Sequence, residues 1–280
     1  MSLVNKVLLS ALTMIAGFTA GNVCAQGVIP VPENHVTLGT QWQGKRVGVL
    51  GDSMSAPRDT TQSKRFYNYL TNLMGIQPYV YAVSGYQMKH MLTMAERMHA
   101  EHPEGLDAIL IWAGTNDYNS SIPVGEFYTE EPAEVNANGV MCTRMHRTHV
   151  MSDSTFCGRI NMLLSTLKDR YPETQIVILT PIHRGPARFG GKNIQPPEDY
   201  ANATGAYLDD YVAALRRGGE IWSVPVIDLY SISGLYPASR GYDDYIQRVD
   251  TDRLHPSDLG HYRLARTLQF QLLTLPPDWR

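Results

Sequence analysis

Five residues set far apart in the chain have the types and local settings that acyl transfer requires. Ser53 lies in Arg46–Ser55, RVGVLGDSMS, just past an apolar, β-branched run that breaks at Gly51. Its hydroxyl therefore falls at the carboxyl end of a strand, where open α/β sheets place their ligands. Asp252 and His255 share the run Asp252-Arg253-Leu254-His255. Three residues apart in a tight turn, the carboxylate can reach the Nδ1 side of the imidazole. Gly85 and Asn116 each follow another apolar run. Hydrolysing an ester through serine needs a hydroxyl, a base for its proton, a carboxylate to orient that base, and donors aimed at the developing oxyanion. Ser53, His255 and Asp252 fill the first three roles. The backbone N–H groups of Ser53 and Gly85, with the side-chain amide of Asn116, could fill the fourth. Ser55 is a rival nucleophile, but Ser53 stands nearer the strand ending. In such a scheme activity falls as His255 is protonated, because an imidazolium cannot accept the serine proton.

These residues need a scaffold that gathers strand ends on one edge, and the hydropathy pattern supplies one. Short apolar runs at Arg46–Leu50, Tyr79–Val83, Ala108–Trp112, Ile176–Leu179 and Val226–Leu229 read as five strands. Between them lie helical patterns. Ser63 is placed to cap a helix running to Met74, with Phe66, Tyr69, Leu70 and Leu73 on one face. Met88 to Ala100 carries methionines 88, 91, 94 and 98 at core spacing. Ile160, Leu163, Leu164 and Leu167 repeat at helical intervals, and Tyr200 to Leu215 predicts a helix stopped by Gly218-Gly219. Ser257 caps a closing helix. Strands alternating with helices imply a parallel sheet with right-handed crossovers and helices on both faces. Two long connections stand out: a polar stretch at about 118–155, read as an insertion, and a Gly- and Pro-rich loop at 182–197.

The N-terminus has a different character. Lys6, an apolar run from Val7 to Phe18 and the small-residue ending Val23-Cys24-Ala25 predict a signal peptide over residues 1–25, hence a secreted or periplasmic protein. The run is too short to cross a bilayer comfortably. The remaining 26–280 suits one α/β domain. A net charge of −3 without long charged runs argues against nucleic acid as a partner and against attraction to an anionic membrane. Beyond the signal, only Cys142 and Cys157 remain, and in an exported protein they most simply close one disulfide. The competing reading is zinc held by Cys142, His146, His149 and Cys157, although that spacing matches no common zinc module. Among other histidines, His35, His90, His99 and His102 read as structural or exposed, and His261 points away from His255. His183 and Arg184, just past the fourth strand, are candidates to line a substrate pocket, while Asp117 reads as stabilising its own turn.

The ordered set G-D-S (51–53), V-S-G (83–85), G-T-N-D (114–117) and D-x-x-H (252–255) resembles the SGNH or GDSL hydrolase family over roughly Arg46 to Phe270. The resemblance implies a flavodoxin-like three-layer α/β/α sandwich with a mainly parallel five-stranded sheet. It implies esterase chemistry with Ser53 as nucleophile, His255 as base, Asp252 as its orienter, and Ser53, Gly85 and Asn116 forming the oxyanion hole. No cofactor enters that scheme and no metal is called for. The chain departs from the family in lacking a glycine shortly after the serine, where it has Met54-Ser55-Ala56-Pro57, and in lacking an asparagine before Gly85.

Export, the resemblance, and aromatics in expected loops (Tyr118, Tyr128, Trp222, Tyr236, Tyr242, Tyr245) suggest a small acyl ester, acetyl first, on a carbohydrate. The alternatives are a lysophospholipase or thioesterase with the Met-rich helix lining an acyl groove, and a non-catalytic glycan-binding relative. The expected partner is an acylated small molecule or glycan, with the 118–155 insertion as a substrate-shaping lid.

Overall fold

The computed structural model describes residues 39–57 and 63–279. The expected signal segment and His35 lie outside the described residues.

In chain order the elements are β1 (Arg46–Gly51), α1 (Phe66–Met74), β2 (Gln77–Ala82), α2 (Met88–Glu101), β3 (Ala108–Trp112), α3 (Thr115–Asn119), β4 (Tyr128–Ala137), β5 (Val140–His149) and α4 (Phe156–Arg170). They continue with β6 (Gln175–Leu179), β7 (Ala187–Arg188), β8 (Ile194–Gln195), α5 (Leu208–Trp222), β9 (Val226–Ile227), α6 (Leu229–Ile232), β10 (Ile246–Arg248), β11 (Asp252–Pro256) and α7 (Asp258–Leu272). Five strands form one all-parallel sheet in the order β2-β1-β3-β6-β9. That is the flavodoxin-like order, whose switch point lies between β1 and β3.

The pleat explains why these strands read as continuous apolar runs. Val47 and Val49 of β1, Ala108, Leu110 and Trp112 of β3, and Val177 and Leu179 of β6 join α1 and α7 in one core. Leu50, Ile109, Ile111, Ile176 and Ile178 turn to the other side and join α2, α4 and α5. Period-two alternation thus feeds two cores, one on each face, so neither face can be polar. The methionines at 88, 91, 94 and 98 are all buried in the second of these cores, so they do not line a groove.

Helix boundaries differ from expectation where packing overrides local signals. Ser63 donates instead to Asp258 Oδ1 (3.1 Å), and α1 starts at Phe66. Residues 200–207 are not helical, and α5 runs through Gly218 and Gly219 to Trp222. The glycines serve close approach rather than termination. A Cβ at Gly218 would meet Ile160 Cγ2 at 2.8 Å, and one at Gly219 would meet Val226 Cγ2 at 2.3 Å and the Val224 carbonyl oxygen at 2.7 Å.

The two long connections contain strands. β4 and β5, ten residues each, form an antiparallel hairpin closed at Asn138-Gly139, where both residues have positive φ, as a tight two-residue turn requires. Most of its residues are exposed along both strands, so little of it packs against the body of the fold. β7 and β8 form a second, short hairpin that pairs with β11, giving a small sheet ordered β10-β11-β7-β8.

The predicted disulfide is absent. Cys142 lies on β5 opposite Val135, and Cys157 is buried in the first turn of α4. Seven residues of extended chain separate Cys142 from His149 at the end of β5, about 23 Å at the usual rise, whereas a disulfide needs Cα atoms within about 7 Å. Burial pushes the Cys157 thiol up to about 12. The alternative zinc set is dispersed by the same geometry. His149 packs between Tyr128 and Trp222, and no cluster of three metal-ligating side chains occurs among the described residues.

Candidate active site

The site forms at the carboxyl edge of β1 and β3. β1 ends at Gly51 because no side chain fits there: a Cβ would lie 2.6 Å from Ser55 Oγ. The chain then tightens, with the N–H groups of Ser55 and Ala56 both donating to the Asp52 carbonyl at 3.0 and 2.8 Å. This turn buries Asp52 and Ser55 and leaves Ser53 partly exposed. Ser55 Oγ is fully buried and has no hydrogen-bond partner among the described residues, which separates it from the reacting groups.

Ser53 Oγ lies 2.8 Å from His255 Nε2. His255 Nδ1 lies 2.8 Å from Asp252 Oδ2 and 3.0 Å from Oδ1. Both residues belong to β11, so the expected turn is extended backbone, locally bent so that the N–H groups of Leu254 and His255 also donate to Asp252 Oδ1, at 3.2 and 3.1 Å. Burial on its own would raise the Asp252 carboxyl. The hydrogen bond and charge of His255, with those two N–H groups, outweigh it and hold the carboxyl below its ordinary value. With Asp252 ionised and accepting from Nδ1, Nε2 presents its lone pair to the serine hydroxyl. Such a line can move a proton from Ser53 onto the imidazole.

The expected oxyanion donors gather beside it. Gly85 takes φ +83°, a conformation open to glycine, at the turn after β2. Among the described residues the N–H groups of Ser53 and Gly85 have no protein acceptor. Asn116 lies in the first turn of α3, and its Nδ2 donates to the Tyr86 carbonyl (2.9 Å) and to Asp52 Oδ2 (3.2 Å). Both amide hydrogens are thus engaged, so Asn116 serves an oxyanion only by giving up one of these partners. Burial lifts the Asp52 carboxyl to about 6, opposed by the Met54 N–H and the His255 charge.

Other sequence candidates have structural tasks. Asp117 does not merely hold its own turn. It accepts from the Met88 N–H at the start of α2 (2.8 Å) and from Arg159 of α4 (2.7 Å), tying three helices together. Burial raises its carboxyl to about 6, opposed by the Met88 N–H and the Arg159 guanidinium. Arg184 is 1% exposed and cannot line a substrate pocket. It donates to Thr115 Oγ1 (3.2 Å) and Gln195 Oε1 (2.8 Å), joining the oxyanion segment to β8. Burial depresses this guanidinium to about 10. His183 is half-buried against Glu198 and stacks on Tyr230, with ring centroids 3.8 Å apart. Of the aromatics singled out, Tyr118 is core and Trp222 donates to Asn161 Oδ1, whereas Tyr236 is exposed.

Two contributors escape sequence reasoning. Arg65, buried before α1, donates to the carbonyls of Ser53 (2.9 Å) and Ala56 (3.0 Å) and sits 2.8 Å from His261 Nε2. His261 therefore supports the nucleophile turn from behind, through Arg65. Phe189, between β7 and β8, places its ring edge-on to the His255 imidazole, centroids 5.4 Å apart. No periodicity marks either residue.

Fold and site together have the make-up of an SGNH-type hydrolase. The chain matches the GDSL-like Lipase/Acylhydrolase family over residues 49–263 and belongs to it: it is a GDSL family hydrolase, esterase- or lipase-like. Among solved structures it is similar to a protein from Lactobacillus plantarum, at 26% identity and TM-score 0.64, covering 83% of this chain and 98% of that one. A possible lipase from Chitinophaga pinensis shares 18% identity at TM-score 0.61, covering 82% and 98%. An acetylxylan esterase from Geobacillus stearothermophilus shares 16% at TM-score 0.51, covering 86% and 97%, a likeness of fold. No curated protein gave a match.

Proposed function

We propose that this protein is an exported serine esterase that removes a short acyl group, acetyl first, from a carbohydrate. The observation that carries the reading is the sharing of His255 between Ser53 Oγ at 2.8 Å and Asp252 at 2.8 Å. Ser53 Oγ attacks the acyl carbon as its proton passes to His255 Nε2, and Asp252 stabilises the imidazolium. The carbonyl oxygen, now negative, takes the N–H groups of Ser53 and Gly85 and an Asn116 amide hydrogen released from one of its partners. On collapse the carbon–oxygen bond to the alcohol breaks, and the Nε2 proton leaves with the alcohol. Water then repeats the sequence on the acyl-serine, its proton returning through His255 to Ser53.

A short acyl group is supported by the burial of the Met-rich face of α2, which leaves no groove along those methionines for a long acyl chain. Acetylxylan esterases are among the proteins of similar fold, so the scaffold is compatible with acetylated glycans. Export rests on the signal-like residues 1–25.

The test is hydrolysis of p-nitrophenyl acetate, butyrate and octanoate by the protein and its Ser53→Ala variant. Preference for acetate with loss of activity in the variant is expected. Rates that climb with chain length would replace the short-acyl reading, and a variant as active as the parent would end the serine mechanism.

A further inference from the structure

We infer that Phe189 is a specificity-determining residue that selects the alcohol half of the ester, and that the alcohol it fits is a pyranose ring presented by its C–H face. The inference rests on the esterase reading above and deepens it by naming the residue that would recognise the carbohydrate and the face of the sugar it takes.

The starting point is where the two halves of an ester must lie. The acyl oxygen is drawn to the N–H groups of Ser53 and Gly85. The alcohol oxygen takes the proton of His255 Nε2 as the tetrahedral intermediate collapses, so the departing alcohol is the half that touches the imidazole. Whatever surface adjoins that imidazole therefore reads the alcohol rather than the acyl group. Among the described residues Phe189 is the aromatic ring packed against His255, at 5.4 Å between centroids and 65° between planes. It is 40% exposed, so the ring meets the imidazole with one part and solvent with another. An isolated exposed phenylalanine needs no explanation. One that touches the general base does.

The ring is also held in place. Its own N–H donates to the Asn193 carbonyl (3.0 Å), closing the β7–β8 hairpin. Ala187 pairs with Asp252 itself, Gly185 N–H donates to the Arg253 carbonyl, and Arg253 N–H returns to the Pro186 carbonyl, both at 3.0 Å. Gln195 of β8 receives the buried Arg184. The hairpin that carries Phe189 is thus hydrogen-bonded to the strand that carries Asp252 and His255, and ring and imidazole keep a fixed relation. A rigid aromatic face at low entropic cost suits an alcohol with an apolar face of its own. The exposed Arg188, Lys192 and Asn193 on the same hairpin offer hydrogen-bond partners for ring hydroxyls. A methyl or ethyl alcohol would use neither.

The experiment holds the acyl group constant and varies the alcohol. The parent protein and its Phe189→Ala and Phe189→Trp variants are assayed on ethyl acetate, phenyl acetate and a mono-acetylated methyl pyranoside, after thermal melts confirm folding. The readout is kcat/KM on the pyranoside divided by kcat/KM on ethyl acetate. Phe189→Ala should lower that ratio about tenfold, in the range of one aromatic contact, with the change carried by KM, and Phe189→Trp should restore it. A ratio within twofold of the parent overturns the inference, because equal losses on both esters mean that the ring only steadies the imidazole. A fall confined to phenyl acetate overturns it in favour of an aryl alcohol. Inactivity of the parent on all three esters removes the esterase reading itself, and the inference with it.

Discussion

Replacing Asp252 by asparagine should cost this protein nearly all of its esterase activity while leaving its fold in place, and the geometry says why. Oδ1 of Asp252 is pinned by the N–H groups of Leu254 and His255 at 3.2 and 3.1 Å. In Asp252→Asn the carbonyl oxygen keeps those two donors, which places the amide nitrogen where Oδ2 now lies 2.8 Å from His255 Nδ1. Two N–H groups cannot face each other, so the imidazole must adopt the other tautomer, with Nδ1 accepting and Nε2 carrying the hydrogen. Nε2 then points an N–H at Ser53 Oγ, 2.8 Å away, and the serine has no base. The same tautomer error in a Ser-His-Asp site lowers kcat by about 10⁴, equivalent to about 5.5 kcal/mol of transition-state stabilisation. Steady-state hydrolysis of p-nitrophenyl acetate measures the loss, with circular dichroism and a thermal melt to establish that the variant is folded. A folded variant within tenfold of the parent would refute the assignment of His255 as base oriented by Asp252.

Further outcomes can be checked alongside. The Asp52 carboxyl, raised by burial to about 6 from about 3.9 when unfolded, binds its proton more tightly in the folded chain. Its contribution to stability is therefore complete below pH 4 and declines as pH rises through 6, by up to about 3 kcal/mol. Asp52→Asn should flatten the stability curve between pH 4 and 7 in urea unfolding, leaving the similar slope from Asp117; an unchanged slope would contradict the burial argument. Gly219→Ala should destabilise by about 2 kcal/mol despite the better helix propensity of alanine, since the new methyl falls 2.3 Å from Val226 Cγ2. A Tm at or above that of the parent would show that α5 can move off β9. Cys142→Ser, or reductant added to the parent, should leave Tm unchanged, because Cys142 and Cys157 are unpaired; a loss of about 2–4 kcal/mol would point to a disulfide after all.

Much of the fold was open to inspection in the amino-acid order, for a local reason. A strand buried on both faces must be apolar at every position, so Ala108–Trp112 and Ile176–Leu179 announce themselves, and the breaks at Gly51, Gly85 and Gly114 mark their turns. Parallel strands must return the chain to the same edge, which is why Ser53, Gly85 and Asn116 converge although long stretches separate them. The pairing of Asp252 with His255 is a matter of three residues and needs no tertiary knowledge. What the chain order could not reveal are contacts fixed by how elements cross. Gly218-Gly219 looks like a helix stop until α4 and β9 are seen pressing on α5. Arg65 and His261 look unrelated until α1 packs on α7, and Phe189 becomes a neighbour of His255 once β7 pairs with β11. The two cysteines looked like partners because only fifteen positions divide them, yet about half of those positions are spent on an extended strand that carries one away from the other. Periodicity encodes which side of an element is buried. It carries no information about what will be pressed against that side, and here that decides the brace behind the nucleophile and the wall beside the base.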